Sequence, residues 1–500
     1  MVARDDLYLL IHSLSKTEKR YFKLQVKQKG DLTSNYARLF DVINKMEQYD
    51  ESLLRKKFLG EKLLNNLPKE KAYLYQAILK SMRAYRKDKA SRIQIRELMT
   101  DADFLRERSL FIQAERLLGK AKKLAYKFEH YMALLEILEQ ERALIRAIKH
   151  QEGSKRLLEL EKETNELLET INKRFEYQEL YDHYFLKQLY SGRISQLDPE
   201  EHHPLDHLLD QQEPPTGFQD QHRYYSVLAI KARLMRDHKA ALTYNKAIVD
   251  LWTDHPDFQK EDQYLFRNML SNFLNASFAL NDYDQVPDII AQLKKIPAQN
   301  QHDAGTAFKH IYHAELMYLL NTGDFEGARQ LVPEIEEGLK NFKKSIGENR
   351  AQTFRVNIAI LFFVLEDHQQ AELWINRIIQ NPKSAPRQDI QLFARVMLVL
   401  IYFEYANDTL FESVYRSTYR YLKNFSTERP SEQLMLSYLK KLFHTPSRER
   451  RPIFAELETR LQQLKSEDNA NILVGLDEFL LWVNSKLQKQ PISSLVQIHQ

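Results

Sequence analysis

Hydrophobic and polar positions follow a helical period over most of the chain, and short polar turns interrupt this pattern. The longest apolar runs, residues 358–365 and 396–403, have eight residues each. A helix that spans a membrane needs about 20 apolar residues. The two runs therefore predict helices that are buried on several sides in an all-α protein, and we expect a cytoplasmic protein without membrane contact.

A short signature recurs between the long helical patterns. It consists of a small or polar residue, Asp, an aromatic residue or His, two variable positions and a small aliphatic residue, and its Asp falls at Asp237, Asp282, Asp324 and Asp367. The intervals are 45, 42 and 43 residues. Because Asp caps helix N-termini and a small residue lets two helices approach closely, the signature is typical of the turn in a helical hairpin. The period predicts turns near residues 110, 152, 237, 282, 324, 367, 408 and 450.

The segment from Gly323 to Ala328 resembles the turn between the two helices of a tetratricopeptide repeat, where Gly-Asp-Phe/Tyr-x-x-Ala is typical. The period differs, since it is near 42 residues and not about 34, and the Trp-Leu-Gly-Tyr pattern of the first helix is missing. The resemblance implies a right-handed superhelical array, an α-solenoid of elongated tetratricopeptide-like hairpins, over about residues 93–467. It also implies that the first helix of each hairpin lines a concave face.

Charge divides the chain unevenly. Residues 1–92 hold 21 Lys and Arg against 11 Asp and Glu, a net charge of +10, within a total of only +4. Residues 194–222 contain no Lys or Arg, but seven acidic residues and four prolines. We therefore predict four parts: a basic N-terminal helical domain at 1–92, the first hairpins at 93–193, an acidic linker or modified repeat at 194–222, and a second array at 223–490.

The resemblance also implies a set of groove residues, obtained by counting back from each turn to the exposed positions of the first helix. Asn side chains carry a donor and an acceptor, so a ladder of them suits the backbone of an extended peptide. Asn272 and Asn275 resemble the amide positions of peptide-clamping tetratricopeptide domains, although Ser271 stands where those clamps have Lys. The predicted groove residues are Arg223, Ser226, Arg233, Asn268, Ser271, Asn272, Asn275, His310, His313 and Met317.

The basic N-terminal region contains a second candidate surface. Its members are cations on two predicted helices, namely Arg55, Lys56, Lys57, Lys80, Arg83 and Lys87. Lys80, Arg83 and Lys87 share one helical stripe that is able to follow phosphates. The alternative is a solvated basic surface without a ligand.

Catalytic and metal chemistry finds little support in the sequence. The chain has no Cys and 12 Gly, and none of the common glycine-rich phosphate-binding or nucleophile motifs occurs. His203 and His207 are four residues apart, a spacing that places two imidazoles on one helical face, but Pro204 lies between them. His310 and His313 are better explained as groove residues. We expect no cofactor, no metal site and no enzymatic activity.

These observations lead to two functional hypotheses. The first is a non-enzymatic scaffold that binds a protein or peptide on the concave face of the array. The second is a regulator in which the basic N-terminal domain binds nucleic acid or a partner protein while the repeats sense a peptide, an organisation that resembles peptide-responsive bacterial regulators with helical repeats.

Overall fold

The chain is all-α in the residues that the computed structural model describes. These residues are 5–28, 35–86, 90–148, 153–190, 203–210, 214–380, 388–406, 408–423, 430–466 and 475–495. They form α-helices and a few short 3-10 segments, with no strand among them. The predicted fold class is confirmed at this level, and no helix in the described ranges is long and apolar enough to cross a membrane.

Five helices form the N-terminal part of the structure. They are α1 (Asp6–Ser13), α2 (Lys16–Gln28), α3 (Asn35–Asn44), α4 (Glu51–Lys57) and α5 (Leu67–Arg86). A capping box begins α2: the Glu18 amide donates to Ser15 Oγ at 3.2 Å, and the Ser15 amide donates to Glu18 Oε2 at 2.9 Å. The buried apolar side chains of α1 to α5 form their own cluster, which contains residues between Leu7 and Met82.

Nineteen further helices are described after residue 90, and most of them pack as neighbouring antiparallel pairs. The first group is α6 (Ser91–Glu107), α7 (Phe111–Lys127), α8 (Tyr131–Ile148), α9 (Gly153–Tyr190), α10 (Phe218–Leu234), α11 (His238–Asp254), α12 (Pro256–Glu261), α13 (Gln263–Leu280), α14 (Val286–Lys295), α15 (Gln301–Thr322) and α16 (Phe325–Asn341). The second group is α17 (Lys343–Ile346), α18 (Glu348–Val364), α19 (His368–Ile379), α20 (Gln388–Glu404), α21 (Asp408–Leu422), α22 (Pro430–Phe443), α23 (Arg451–Ser466) and α24 (Leu476–Gln488). Seven of the eight predicted turn positions coincide with a break between two helices; residues 149–152, which hold the turn predicted near 152, and residue 407 lie outside the described residues.

The recurring signature forms a very short connection between paired helices. Arg236, Asn281, Gly323 and Glu366 have φ values of 59°, 55°, 78° and 59°, which is the left-handed conformation of a helix C-terminus. At three of these turns the Asp that follows caps the second helix: Asp237 accepts from the Ala240 amide at 2.9 Å, and equivalent bonds form at Asp324 and Asp367. Asp282 does not cap its helix, because α14 begins only at Val286 after a longer connection. The small residues four positions later are buried, as predicted: Ala241, Val286, Ala328 and Ala371.

The acidic segment is partly packed against the body of the protein. Leu205, Leu208 and Leu209 contact the cluster between α9 and α10, and a short 3-10 helix spans Asp206–Leu208. Helix α10 begins at Phe218, so the end of the segment is helical. The four prolines had favoured a loop there instead. Two of the described acids bind cations of the body: Asp206 pairs with Lys231 at 3.0 Å and Asp220 with Arg174 at 2.7 Å.

Ala328 tests the close approach of α15 and α16. Its side chain is fully buried near the turn, and a larger side chain there would overpack the crossing. We expect Ala328→Leu to lower the free energy of unfolding by about 1–3 kcal/mol, measured by urea denaturation. The exposed Arg329→Leu on the same helix is the control and should have little effect. An unchanged stability of Ala328→Leu would show that the crossing is loosely packed.

Candidate peptide-binding pockets

A pocket of about 240 Å³ lies between the end of α9 and helices α10, α11 and α13. We call it the amide pocket. Its walls combine amide, aromatic and aliphatic side chains, and they include Tyr181, Phe185, Gln188, Ser226, Ala229, Ile230, Arg233, Asn245, Met269, Asn272, Asn275 and Ala279. Four of the ten predicted groove residues are therefore in one place: Ser226, Arg233, Asn272 and Asn275. Ser226 was predicted to be exposed but is buried, and its hydroxyl donates to the His222 carbonyl at 2.7 Å.

Helical periodicity explains why those residues meet. On α10, Ser226, Ile230 and Arg233 are four and three residues apart, so they share one stripe. On α13, Asn272 and Asn275 follow the same spacing and are both exposed. Their side-chain amides make no hydrogen bond to any described residue, whereas the Asn245 amide donates to the Ala241 carbonyl at 2.7 Å. The two Asn amides are therefore available to a ligand.

The opposite wall of the amide pocket is aromatic. Tyr181 and Phe185 stack with their ring centroids 5.7 Å apart and their planes 9° from parallel. Arg233 is exposed, yet desolvation by the surrounding helices lowers its pKa below the usual value. The pocket thus offers apolar area beside polar groups that can fix an orientation.

A second pocket, of about 750 Å³, lies where the C-terminal helix approaches α15 and α18. Helix α24 is held there because Trp482 Nε1 and Lys486 Nζ both donate to the Glu404 carboxylate at 2.7 Å. The predicted groove residue Met317 lines this pocket, and the Asn357 amide donates to its Sδ at 3.1 Å. The other lining residues include Leu320, Asn321, Phe325, Ile360, Val364, Leu480, Leu481, Asn484 and Gln488.

A third pocket, of about 510 Å³, lies between α6, α8 and α9, and we call it the arginine pocket. The predicted groove residue Arg223 lines it and also stacks over Tyr181, with its guanidinium carbon 5.1 Å from the ring centroid. Since Tyr181 belongs to the amide pocket, the two pockets adjoin at this pair.

Four predicted groove residues line none of these three pockets. We expected these four side chains to be exposed, but they are half-buried: Asn268, Ser271, His310 and His313. Burial lowers the pKa of His310 to about 3 and that of His313 to about 4, and the nearby cations Lys309 and Arg350 add to both effects. The ring of His313 packs edge-on against Phe354 at 5.9 Å. Both histidines are therefore neutral side chains of the packed interior.

Sequence reasoning missed the contribution of α9 to the amide pocket. Tyr181, Phe185 and Gln188 are spaced four and three residues apart, so their common stripe was visible in the sequence. The sequence did not reveal that one 38-residue helix would reach far enough to pack beside α10. The sequence likewise did not reveal that α24 would pack beside the second pocket.

The basic residues of the N-terminal part are accessible. Arg55, Lys56 and Lys57 lie on α4, Lys80 and Arg83 lie on α5, and all five side chains are exposed. Arg55 donates to Glu51 Oε1 at 2.8 Å on its own helix. The sixth predicted member of the surface, Lys87, lies outside the described residues.

The metal candidates do not form a cluster. His207 Nδ1 is 3.0 Å from the Pro204 carbonyl, and His203 packs against the ring of His183 at 4.7 Å. Among the described residues, no group of three or more His, Asp or Glu side chains is arranged to hold a metal ion.

Comparison with protein-family models, with curated proteins and with solved structures finds no match for the chain. No comparison therefore assigns the helical pairs to the tetratricopeptide family, and the functional proposals depend on the geometry of this chain.

His310 and His313 predict a fold that is less stable in acid. Their pKa values are lower in the folded state than the usual value near 6.5, so the unfolded chain binds more protons and stability falls as the pH drops below about 6.5. Each histidine contributes up to about 1.4 kcal/mol for every pH unit between 6.5 and its folded pKa. We expect His310→Asn with His313→Asn to flatten the difference between urea denaturation at pH 7 and at pH 5. The exposed His238→Asn should leave that difference unchanged; an equal slope in all three proteins would contradict the assignment.

Proposed function

We propose that the chain is a non-enzymatic scaffold that binds a protein or peptide on the concave face of a superhelical, tetratricopeptide-like array. The observation that carries the proposal is the amide pocket. Asn272 and Asn275 are exposed there without a hydrogen-bond partner in the described part of the chain, beside the stacked pair Tyr181 and Phe185. Free amides suit the backbone of an extended ligand, and the aromatic wall suits an apolar side chain.

The extent of the pockets supports a long ligand. The arginine pocket adjoins the amide pocket at Arg223 and Tyr181, and Met317 on α15 lines the second pocket. A small substrate would need only one of these cavities. A peptide that runs across several first helices would contact a repeating set of amide and apolar side chains.

The test is a selection of peptides that bind the intact protein from a phage-displayed library, followed by measurement of their affinities. Asn272→Ala with Asn275→Ala removes two ligand hydrogen bonds, so we expect a loss of about 1–3 kcal/mol in binding free energy with unchanged folding. Gln330→Ala with Gln369→Ala is the control, because both of these amides are exposed and line none of the three pockets. Equal affinity for both double variants would reject the amide pocket as the site.

The second hypothesis, a regulator whose N-terminal domain binds nucleic acid or a partner protein, retains one specific observation. The five described cations of the basic surface are exposed on a part of the chain that has its own apolar core. A surface of this kind binds phosphates in a salt-dependent way.

Duplex DNA without a defined sequence tests this hypothesis by electrophoretic mobility at low salt. We expect Lys56→Gln with Lys57→Gln to weaken binding and to reduce the slope of log affinity against log salt by roughly 2, since two phosphate contacts are lost. Lys294→Gln with Lys295→Gln removes two exposed lysines elsewhere and should change neither the affinity nor the slope. Absence of binding by the unmodified protein would leave the basic surface as a solvated one.

A further inference from the structure

The arginine pocket is lined by four arginines from three helices. Arg92 and Arg96 lie one turn apart on α6, Arg174 lies on α9 and Arg223 lies on α10. Two acids, Glu129 and Glu136, share the walls. Which of these charges are already paired decides what the pocket can bind.

Arg174 and Glu129 are committed to holding the fold. Glu129 accepts hydrogen bonds from the backbone amides of Phe218 at 2.6 Å and Gln219 at 2.9 Å, and so it caps the start of α10. Arg174 binds Glu129 at 3.1 Å and Asp220 at 2.7 Å, which neutralises its charge. These groups connect α8, α9 and α10 and are not available to a ligand.

The other three arginines have no carboxylate partner among the described residues. Arg92 and Arg96 are exposed, and neither guanidinium makes an ion pair there. Arg223 is half-buried, and its Nε is inaccessible to solvent without a hydrogen-bond partner in the described chain. Against these three cations, Glu136 is the one uncommitted acid of the pocket wall. The pocket therefore keeps an excess of positive charge.

Large apolar side chains are exposed in the same pocket. Met132 on α8 is 64% exposed and Phe175 on α9 is 61% exposed, although residues of this size are usually covered. Both stand beside the arginines, so a ligand would meet cations and apolar area together. A bare phosphate or a purely acidic chain would use only half of this surface.

We propose that the arginine pocket binds an acidic peptide segment that carries large apolar side chains between its carboxylates. This inference rests on the proposed peptide-binding function and names the chemistry of one part of the ligand. The planar guanidinium pairs with a carboxylate through two parallel hydrogen bonds, and Met132 and Phe175 take the apolar side chains. Because the arginine and amide pockets adjoin, the acidic segment lies directly beside the segment that the Asn amides hold. A nucleic acid fits less well, because Met132 offers no ring on which a base can stack, whereas large apolar side chains pack on both Met132 and Phe175.

The test uses a fluorescein-labelled dodecapeptide in which Glu and Asp alternate with Leu and Phe, together with a matched peptide that has Gln and Asn at the acidic positions. Fluorescence anisotropy gives both affinities for the full chain. Arg92→Gln with Arg96→Gln should weaken the acidic peptide by roughly 2- to 30-fold, the range for two exposed ion pairs, and should leave the amide peptide unchanged. Added salt should reduce the difference.

The matched control is Arg116→Gln with Lys120→Gln, which removes two exposed cations at the same spacing on α7, outside the pocket. Equal affinity of the acidic peptide for the two double variants would overturn the proposal, and so would equal affinity of the unmodified protein for both peptides. Displacement of the acidic peptide by a single-stranded oligonucleotide at similar concentration would assign the pocket to nucleic acid instead. The phage-selected peptides report the general peptide-binding function separately, so its failure is distinguishable from a failure of the acidic preference.

Discussion

The connection between paired helices is the constraint on which the rest of the structure depends. One residue in the left-handed conformation ends the first helix, and the next residue, usually Asp, already caps the second. The backbone amide of that Asp also closes the first helix, as at Asp237, which donates to the Ala232 carbonyl at 2.9 Å. So short a connection forces the two helices to be antiparallel and close, and this explains the buried small residues at Ala241, Ala328 and Ala371.

The pockets follow from the same packing. Each first helix uses one face against its partner and another against the next pair, which leaves a single stripe that faces the cavities. On α10 and α13 this stripe contains Ser226, Arg233, Asn272 and Asn275, and neighbouring stripes form the walls of one cavity. The long helix α9 adds the aromatic wall, since its second half packs beside α10. The same backbone turn is repeated along the chain, but the side chains on the stripe differ from one helix pair to the next. The chemistry of the surface therefore changes along the array of pairs.

Polar contacts between distant residues hold the pairs in register. Glu129 caps α10 across 89 residues of sequence, and Glu261 binds both the amide and the hydroxyl of Ser91 across 170 residues. Arg267 and Asp303 form a buried ion pair between α13 and α15. Removing one partner of such a pair leaves an unpaired charge that is poorly solvated. These contacts therefore favour the observed packing over arrangements in which one helix is shifted along its neighbour. Arg92, Arg96 and Arg223 of the arginine pocket take no part in these contacts, since none of them forms an ion pair with a described residue.

The sequence by itself determined the helices, the positions of their turns, the buried small residues and the capping box at Ser15, because each depends on residues within one or two helical turns. It also identified the stripes of α10 and α13 that meet in the amide pocket. Only the tertiary structure decided that His310 and His313 are half-buried, that Tyr181 and Phe185 face those stripes, and that Arg174 is paired with acids while Arg92, Arg96 and Arg223 form no ion pair within the described chain. Burial and pairing are set by side chains that approach from distant parts of the chain, and helical spacing alone contains no information about which of them arrive.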